Sequence, residues 1–291
     1  MILVLCGQDG TATWDYYTLK HCLLPAHSPL STSTVPLIDM HSIHLYTSSP
    51  DHLPNVTAPL AAERAIEITS SLIDLAQIEN GVPPDQLRPT ICFDEWNVWD
   101  PIRAEGSKGA EECYTLSDAL AVAVYLNTFV RKSKDVGMAC IAQSVNVISP
   151  LMTTKDGIVK QTTYWPLYLF SKYMRGWTVG AHVACGTYDG VTSPQWVRSV
   201  KDTPWLDISA TLGDDGFANV AVINIHEIKD IESQIEGIIG QVAVFTITGK
   251  DVTATNMKGK EEVGVAESTW DGKGAYKFPK HSLTLLRWKA E

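Results

Sequence analysis

The stretch TICFDEWNVWD, residues 90–100, leads from an apolar segment into two adjacent acids and then into aromatic residues. Alternate side chains of a strand share a face, so Asp94 and Glu95 are predicted to point to opposite faces. Glu95, at the strand's end with Trp96 and Trp99 as expected walls, is the better candidate for chemistry, and Asp94 is interpreted as a hydrogen-bonded structural acid. A solvated turn is the alternative for such a pair, but the apolar approach argues against it. Indole rings stack on the C–H faces of sugars, so the stretch favours a carbohydrate site.

Outward from this stretch, four short β-branched runs at residues 1–7, 37–46, 89–96 and 137–145 lack polar alternation, as strands covered on both faces do. Helical spacing of apolar residues predicts helices within 58–84, within 114–135 and over 163–175. Thr115 and Asp118 have the spacing of a capping box. Repeated strand, helix and strand predict a parallel sheet of barrel type, although only four units are present and a closed barrel needs eight.

The pattern changes after about residue 176. Residues 217–224, 241–248 and 281–288 are short strand-like runs separated by Gly, Asp, Asn and Lys turns, which predicts a β-sandwich. The expected fold is therefore α/β followed by β, with one domain at 1–178 and a second at 179–291.

Composition limits the partners. The chain has 291 residues, 45% of them hydrophobic, and a net charge of -10 with scattered Lys and Arg, so a nucleic-acid partner is not expected. No apolar run is long enough to cross a membrane, and the first residues lack the basic start of a signal peptide. The compartment stays open between secreted and cytoplasmic. The six cysteines show no C-x-x-C spacing and are interpreted as buried free thiols in preference to disulfides or metal ligands, with Cys92 and Cys140 in apolar runs.

Other polar residues stand at the ends of the predicted strands. His44 and Tyr46 share a strand face and are candidates for substrate contact, with a core role as the alternative. His41 and His44 point to opposite faces, so a shared metal would need a bulge and is disfavoured. Gln143 and Asn146 either cap a loop or bind hydroxyl groups. No nucleotide, serine-hydrolase or zinc-protease motif occurs, so no cofactor is expected.

Five ordered motifs between residues 39 and 176 carry a resemblance, namely DMHSIHLYT, FDEWNVW, YTLSDALAVA, IAQSVNVISP and KQTTYWPLYLFSKYMRG. The chain resembles the C-terminal part of a family-51 glycoside hydrolase, an α-L-arabinofuranosidase. That resemblance implies a retaining hydrolase of arabinofuranosides, with a (β/α)8 barrel followed by a jelly-roll-like β-sandwich. The four predicted strands would then be barrel strands five to eight.

The resemblance also implies roles for single residues. Glu95 matches the catalytic nucleophile, Tyr46 a residue beside it, and Trp99 and Gln143 the wall and a hydroxyl contact of the arabinose subsite. The family's general acid/base is a glutamate in an Asn-Glu motif, and no such dipeptide occurs in this chain. Neither Glu63 nor Glu105 is assigned that role. The missing motif and the Ser/Thr/Pro-rich loop at 23–36 suggest a truncated gene model. Members of the family often form homo-oligomers.

Three hypotheses follow. The leading one is an α-L-arabinofuranosidase chain that carries the nucleophile and lacks the acid/base. The second is a non-catalytic remnant that binds arabinosides or a partner. The third is an unrelated barrel hydrolase that holds a metal with His41 and His44.

Overall fold

The computed structural model describes residues 1–25, 37–99, 111–192 and 198–290. Contacts between residues group the chain into two compact units. The first contains Met1–Tyr46, Ala61–Trp96 and Lys132–Ala142, and the second contains Thr47–Leu60, Asn97–Arg131 and Gln143–Glu291. Much of the loop at 23–36, and Glu105, lie outside the described residues.

The helices, in chain order, are Thr13–Cys22 (α1), His52–Thr57 (α2), Leu60–Glu79 (α3), Leu116–Arg131 (α4) and Tyr164–Tyr173 (α5). The strands are Val4–Leu5 (β1), Met40–Thr47 (β2), Thr90–Val98 (β3), Val136–Ile141 (β4), Leu151–Thr154 (β5), Gly157–Lys160 (β6), Trp177–Val179 (β7), Thr187–Gly190 (β8), Val200–Pro204 (β9), Leu206–Leu212 (β10), Phe217–Asn224 (β11), Ile231–Gln234 (β12), Val242–Thr248 (β13), Asn256–Met257 (β14), Lys260–Glu261 (β15), Gly264–Trp270 (β16), Ala275–Phe278 (β17) and Ser282–Lys289 (β18).

The first unit is built on a four-stranded sheet in the order β1-β2-β3-β4. The β1/β2 and β3/β4 pairs are parallel, as the sequence predicts. The predicted helix within 58–84 is also confirmed, because α3 buries the positions that recur at helical spacing, among them Ala62, Ile66 and Ile73. Gly81 ends this helical region with a φ of 63°, a left-handed conformation that glycine adopts without steric cost.

The two ends of this sheet are more exposed than the sequence predicts. The run expected over residues 1–7 gives only Val4–Leu5, at one edge of the sheet, and Ile2 remains 60% exposed. Cys140 was expected in a covered strand, but β4 is also an end strand and the Cys140 side chain is exposed. Cys92 on β3 is buried, which raises the pKa of its thiol to about 11. All six cysteines, which lie within the described ranges, are free thiols, but the prediction that they are buried is wrong for the exposed Cys6, Cys113 and Cys140.

The second unit contains a six-stranded antiparallel sheet in the order β16-β13-β18-β11-β10-β7. One face packs on α4 and α5, where Ile223 and Leu285 meet Leu120 and Leu169. The other face packs on the β12/β17 pair in a second apolar cluster that includes Phe278. The three strands predicted at 217–224, 241–248 and 281–288 are confirmed as β11, β13 and β18, and their two-layer packing is that of a β-sandwich.

A group of polar side chains lies inside the second unit at the start of α4. This buried cluster consists of His52, Asn55, Ser117 and Asp118. The predicted capping box is confirmed, because the Thr115 backbone N–H donates to Asp118 Oδ2 over 2.8 Å and the Asp118 N–H donates to Thr115 Oγ1 over 3.3 Å. Asn55 Nδ2 donates to Asp118 Oδ1 over 2.9 Å and to Ser117 Oγ over 3.2 Å.

Within the described ranges, every helix is too short or too polar to span a lipid bilayer.

Candidate functional site

Five polar side chains meet on the adjacent strands β2 and β3 of the first unit, most of them in the carboxyl-terminal halves of these strands. This strand-end cluster consists of Ser42, His44 and Tyr46 on β2 and of Asp94 and Glu95 on β3. The three β2 residues are two positions apart, so they share one face of the strand, as the sequence predicts for His44 and Tyr46. Each of the three has a carboxylate of β3 as a partner.

Both acids of the cluster contact His44, which corrects the prediction that Asp94 and Glu95 point to opposite faces. His44 Nε2 lies 3.0 Å from Asp94 Oδ1, and His44 Nδ1 lies 3.9 Å from Glu95 Oε2. The reason lies in the pairing of β3 with β4, in which Phe93 faces Ala139 and Trp96 faces Ile141. Three steps along β3 thus match two along β4, and this bulge breaks the alternation at the two acids.

Tyr46 holds one oxygen of the Glu95 carboxylate. Its hydroxyl donates to Glu95 Oε2 over 3.0 Å. Burial raises the pKa of Tyr46 well above its ordinary value, and the hydrogen bond to Glu95 and the charges of Glu95 and Asp94 raise it further. Tyr46 therefore stays protonated and remains a donor. Among the described residues, Glu95 Oε1 has no hydrogen-bond partner.

The cluster is open to solvent. The side chain of Glu95 is 48% exposed, that of Asp94 36% and that of His44 35%. Burial of an ionised carboxylate among the aromatic residues of TICFDEWNVWD would be unfavourable. Glu95 avoids this cost, because its side chain is about half exposed to water and is hydrogen-bonded to Tyr46. Trp96 lies elsewhere, because it is only 2% exposed and packs in the interior instead of forming a wall beside Glu95.

His41 lies on the opposite face of β2 from His44. It is fully buried, and its Nε2 is 2.9 Å from Asp15 Oδ1. Asp15 also accepts the backbone N–H groups of Gln8 and Gly10, which fixes the loop after β1. The two histidines therefore contact different carboxylates, as expected from their spacing. In the ranges that the structure describes, no group of three or more His, Cys, Asp or Glu side chains is placed to hold a metal ion.

Two further predicted residues belong to the second unit. Trp99 is 38% exposed, and its backbone N–H donates to Thr47 O over 2.9 Å. Gln143 is exposed, and its side chain makes no hydrogen bond with the described residues. Asn146 takes the loop-capping alternative, because its Oδ1 accepts the backbone N–H and hydroxyl of Thr153. The described residues thus leave the Gln143 amide available to a ligand.

Sequence reasoning missed Ser42. Its hydroxyl donates to Asp94 Oδ1 over 2.9 Å and lies 3.1 Å from His44 Nε2. The sequence could have identified Ser42, because it lies two positions before His44 and therefore shares the strand face that is predicted for His44 and Tyr46. The sequence predicts that Asp94 is hydrogen-bonded, and the structure gives Ser42 as the donor, with His44 Nε2 3.0 Å from the same oxygen.

Residues 94–282 match the family profile described as the alpha-L-arabinofuranosidase C-terminal domain. The match covers more than half of the chain, and the chain therefore belongs to this family. It is 82% identical over 289 residues to the probable alpha-L-arabinofuranosidase C of Aspergillus fumigatus, covering 99% of this chain and 57% of the relative. It is 77% identical over 288 residues to the alpha-L-arabinofuranosidase C of Emericella nidulans, again covering 99% of this chain and 57% of the relative. The chain thus spans a little over half the length of these curated relatives.

Solved structures agree with this assignment. The alpha-L-arabinofuranosidase of Thermotoga maritima in its arabinose complex superposes with a TM-score of 0.81 at 28% identity, covering 99% of this chain and 57% of that one. The thermostable family-51 alpha-L-arabinofuranosidase of Thermotoga petrophila superposes with a TM-score of 0.83 at 25% identity, with 99% and 58% covered.

Proposed function

We propose that the chain is the nucleophile-bearing part of a retaining α-L-arabinofuranosidase, which releases terminal non-reducing arabinofuranosyl residues from arabinose-containing polysaccharides or oligosaccharides. The observation that supports this best is the state of the Glu95 carboxylate. Tyr46 holds Oε2, whereas Oε1 is without a hydrogen bond among the described residues and the side chain is half exposed. A carboxylate oriented through one oxygen and open at the other suits attack on a sugar carbon.

The reaction would begin when Glu95 Oε1 attacks C1 of the arabinofuranosyl ring. The C1–Oε1 bond forms as the bond from C1 to the leaving oxygen breaks, and water later cleaves the glycosyl ester with retention. Tyr46 supports this step in two ways. Its O–H stabilises the ionised carboxylate before attack, and its raised pKa keeps that proton in place.

Three further residues would contact the sugar. We assign His44 to the substrate-binding group because it is partly exposed beside Glu95. Trp99 would provide an exposed indole face, and Gln143 an exposed amide for a hydroxyl group. Trp99 directly follows β3 and Gln143 comes two residues after the end of β4, at the carboxyl ends where barrel enzymes bind substrates.

We infer that residues 1–178 form strands five to eight of a (β/α)8 barrel and that residues 179–291 form a jelly-roll-like β-sandwich. The parallel pairs and sheet order β1-β2-β3-β4, interleaved along the chain with helices, support the first part. A boundary near 178 is supported by β7, Trp177–Val179, which pairs with β10 of the antiparallel sheet.

We assign the role of general acid/base to no residue of this chain. A retaining site needs a second carboxyl group about 5 to 5.5 Å from the nucleophile. Glu63 does not fit that role, because it forms an ion pair with Lys132 over 3.2 Å. The second candidate function is a non-catalytic arabinoside-binding remnant, because a nucleophile that acts with no acid/base would bind sugars but turn them over slowly.

An activated substrate tests the proposal on the chain itself. In 2,4-dinitrophenyl α-L-arabinofuranoside the leaving group departs without a proton donor, so Glu95 alone is expected to release dinitrophenolate and to become arabinosylated. Mass spectrometry of the peptide that contains Glu95 detects the adduct. Glu95→Gln is expected to lower the rate by at least on the order of 10⁴-fold.

The control is Asp74→Asn, because Asp74 is an exposed acid of the first unit that pairs with Arg88. It is expected to leave labelling unchanged. Labelling that persists in Glu95→Gln would reject the nucleophile assignment. Saturable binding of the sugar without release of dinitrophenolate would instead support the non-catalytic remnant.

A further inference from the structure

Asp94 makes two contacts that suggest a role in the strand-end cluster beyond packing. Its Oδ1 accepts the Ser42 hydroxyl over 2.9 Å and lies 3.0 Å from His44 Nε2. We propose that Asp94, assisted by Ser42, is a positioning residue that fixes the tautomer and orientation of His44 beside Glu95. This inference rests on the proposed role of Glu95 as the nucleophile.

The hydrogen positions follow from the partners. Ser42 has one hydroxyl proton, which it donates to Asp94, so the Ser42 oxygen presents lone pairs to His44 Nε2 at 3.1 Å. Both neighbours of Nε2, the Asp94 carboxylate and the Ser42 oxygen, are therefore acceptors. Nε2 must carry a proton in the neutral ring as well as in the protonated ring.

The fixed ring aims its other nitrogen at the nucleophile. With Nε2 hydrogen-bonded to Ser42 Oγ and 3.0 Å from Asp94 Oδ1, Nδ1 lies 3.9 Å from Glu95 Oε2, the oxygen that also receives the Tyr46 hydroxyl. Protonation of the ring would add an N–H directed at the same oxygen. When the ring carries both protons, His44 and Tyr46 both act on Oε2, which leaves Oε1 for attack on C1. Asp94 acts on the ring directly at 3.0 Å and through the Ser42 hydroxyl that it orients, and a ring without these acceptors would be free to flip.

The bulge in β3 makes this contact available. A regular strand would send Asp94 and Glu95 to opposite faces, so only one of them would reach the β2 face that carries His44. The extra residue between Phe93 and Trp96 brings both acids to His44. The bulge therefore has a specific consequence for the chemistry of the cluster.

Ser42, His44 and Asp94 are the residue types of a serine-hydrolase triad, but their hydrogen bonds are different. In such a triad the histidine accepts the serine proton. Here the Ser42 proton is donated to Asp94, and the facing His44 nitrogen already carries a proton. Ser42 is therefore a support for Asp94 and not a nucleophile.

The ¹⁵N spectrum of the imidazole groups tests the inference on the ligand-free chain. When its ¹⁵N shifts show a neutral ring, His44 is expected to show a single Nε2–H tautomer with slowed proton exchange. Asp94→Ala is expected to convert this signal to a mixture of tautomers. Asp94→Asn is expected to keep the tautomer with faster exchange, because the amide oxygen still accepts, and Ser42→Ala is expected to keep the tautomer.

A selective effect separates positioning from a general loss of structure. The signals of His41, which contacts Asp15 on the other face of β2, are expected to be unchanged in all these variants. Asp74→Ala, a matched change at an exposed acid, is expected to leave His44 as in the parent chain. An Asp94→Ala spectrum with an unaltered His44 tautomer would overturn the inference.

The rate of arabinosylation gives the second readout. With the dinitrophenyl substrate, Asp94→Ala is expected to slow adduct formation about tenfold to hundredfold, and Asp94→Asn less. The two proposals fail in different ways. Labelling that survives Glu95→Gln rejects the nucleophile, whereas an unchanged His44 tautomer in Asp94→Ala rejects the positioning role whatever Glu95 does.

Discussion

The two units of the molecule each contain a cluster with the same three residue types, Ser, His and Asp, in very different surroundings. In the strand-end cluster of the first unit, His44 and Asp94 are about one third exposed. In the buried cluster of the second unit, His52 is 7% exposed and Asp118 is fully buried. The chemistry available to the side chains is the same, but only the first cluster is open to a substrate.

Hydrogen bonding separates the clusters further. In the buried cluster, His52 Nε2 lies 3.1 Å from Ile225 O, so this nitrogen donates, and the Ser117 hydroxyl donates to His52 Nδ1 over 2.9 Å. That serine–histidine pair resembles an activated nucleophile, yet its Asp118 neighbour is bound to Thr115 and Asn55. In the strand-end cluster, Glu95 Oε1 has no such partner among the described residues. The two clusters share their residue types, so residue type does not distinguish them. The exposed oxygen of Glu95 that has no hydrogen bond among the described residues does distinguish the candidate functional cluster.

The largest expected effect in this comparison is the loss of Asp118 from the buried cluster. Asp118→Ala removes the carboxylate that accepts hydrogen bonds from the Thr115 backbone N–H, the Thr115 hydroxyl and the Asn55 amide. We expect the free energy of unfolding to fall by about 3 kcal/mol, since a helix cap and a buried charged acceptor are lost together. Urea denaturation measures this.

Asp156→Ala is the control, because Asp156 is 70% exposed and pairs with Lys258 at the surface. It is expected to change stability by less than about 0.5 kcal/mol. Equal losses in the two variants would contradict the structural role of the buried cluster.

The next effect is a pH dependence of stability that His52 imposes. Burial lowers the pKa of His52 to about 4 in the folded chain, against an ordinary value near 6.5. The unfolded state therefore binds the proton more tightly, and stability falls as pH drops from about 6.5 towards 4. We expect about 2 kcal/mol to be lost between pH 7.5 and 5 through this group.

His52→Gln is expected to flatten that slope, whatever its effect at neutral pH. Urea denaturation at several pH values measures the slope for both proteins. His21→Gln, at an exposed position, is the matched change and is expected to keep the slope of the parent chain. A His52→Gln profile as steep as that of the parent would show that His52 does not titrate on unfolding.

Substitution of Tyr46 is expected to have the smallest effect on the free energy of unfolding but a clear effect on the rate of arabinosylation. Tyr46→Phe removes the donor to Glu95 Oε2 and keeps the ring. We expect arabinosylation by the dinitrophenyl substrate to slow about tenfold to hundredfold, as for loss of a hydrogen bond to a charged group. The free energy of unfolding is expected to change by less than about 1 kcal/mol, because the Glu95 side chain is 48% exposed and water replaces the hydroxyl.

Measurement of both quantities on the same variant sharpens the comparison. If Tyr46→Phe lowers the free energy of unfolding but leaves the rate of arabinosylation unchanged, Tyr46 has a structural role like that of the buried cluster. The opposite outcome supports the division between an open reacting cluster and a closed structural one.

The elements that the sequence predicts best are those with a strong repeating pattern. The spacing of apolar residues in α3 and the capping box of α4 identify both helices, and strands β11, β13 and β18 follow from their apolar runs. Helix α1 was missed because it mixes exposed Trp14 and Tyr17 with polar residues and has little apolar periodicity. Helix α2 was missed because it has only six residues and contains Pro54.

The candidate site shows where such reasoning ends. Alternation on β2 places His44 and Tyr46 together, because a strand repeats every two residues and β2 is regular there. The same rule fails at Asp94 and Glu95, because the number of residues between two pairing positions depends on the neighbouring strand β4. The burial of Trp96 was likewise not visible in its own segment.

By itself, the sequence determined which residues carry chemistry and which stretches repeat with the period of a helix or strand, because both are properties of the side chains and of local backbone geometry. Only the tertiary structure decided that both acids of the DEW segment reach His44, that Tyr46 engages Oε2 of Glu95, and that His52 and Ser117 are closed off from solvent. These facts depend on strand pairing and burial between residues far apart in the chain, which no local pattern records.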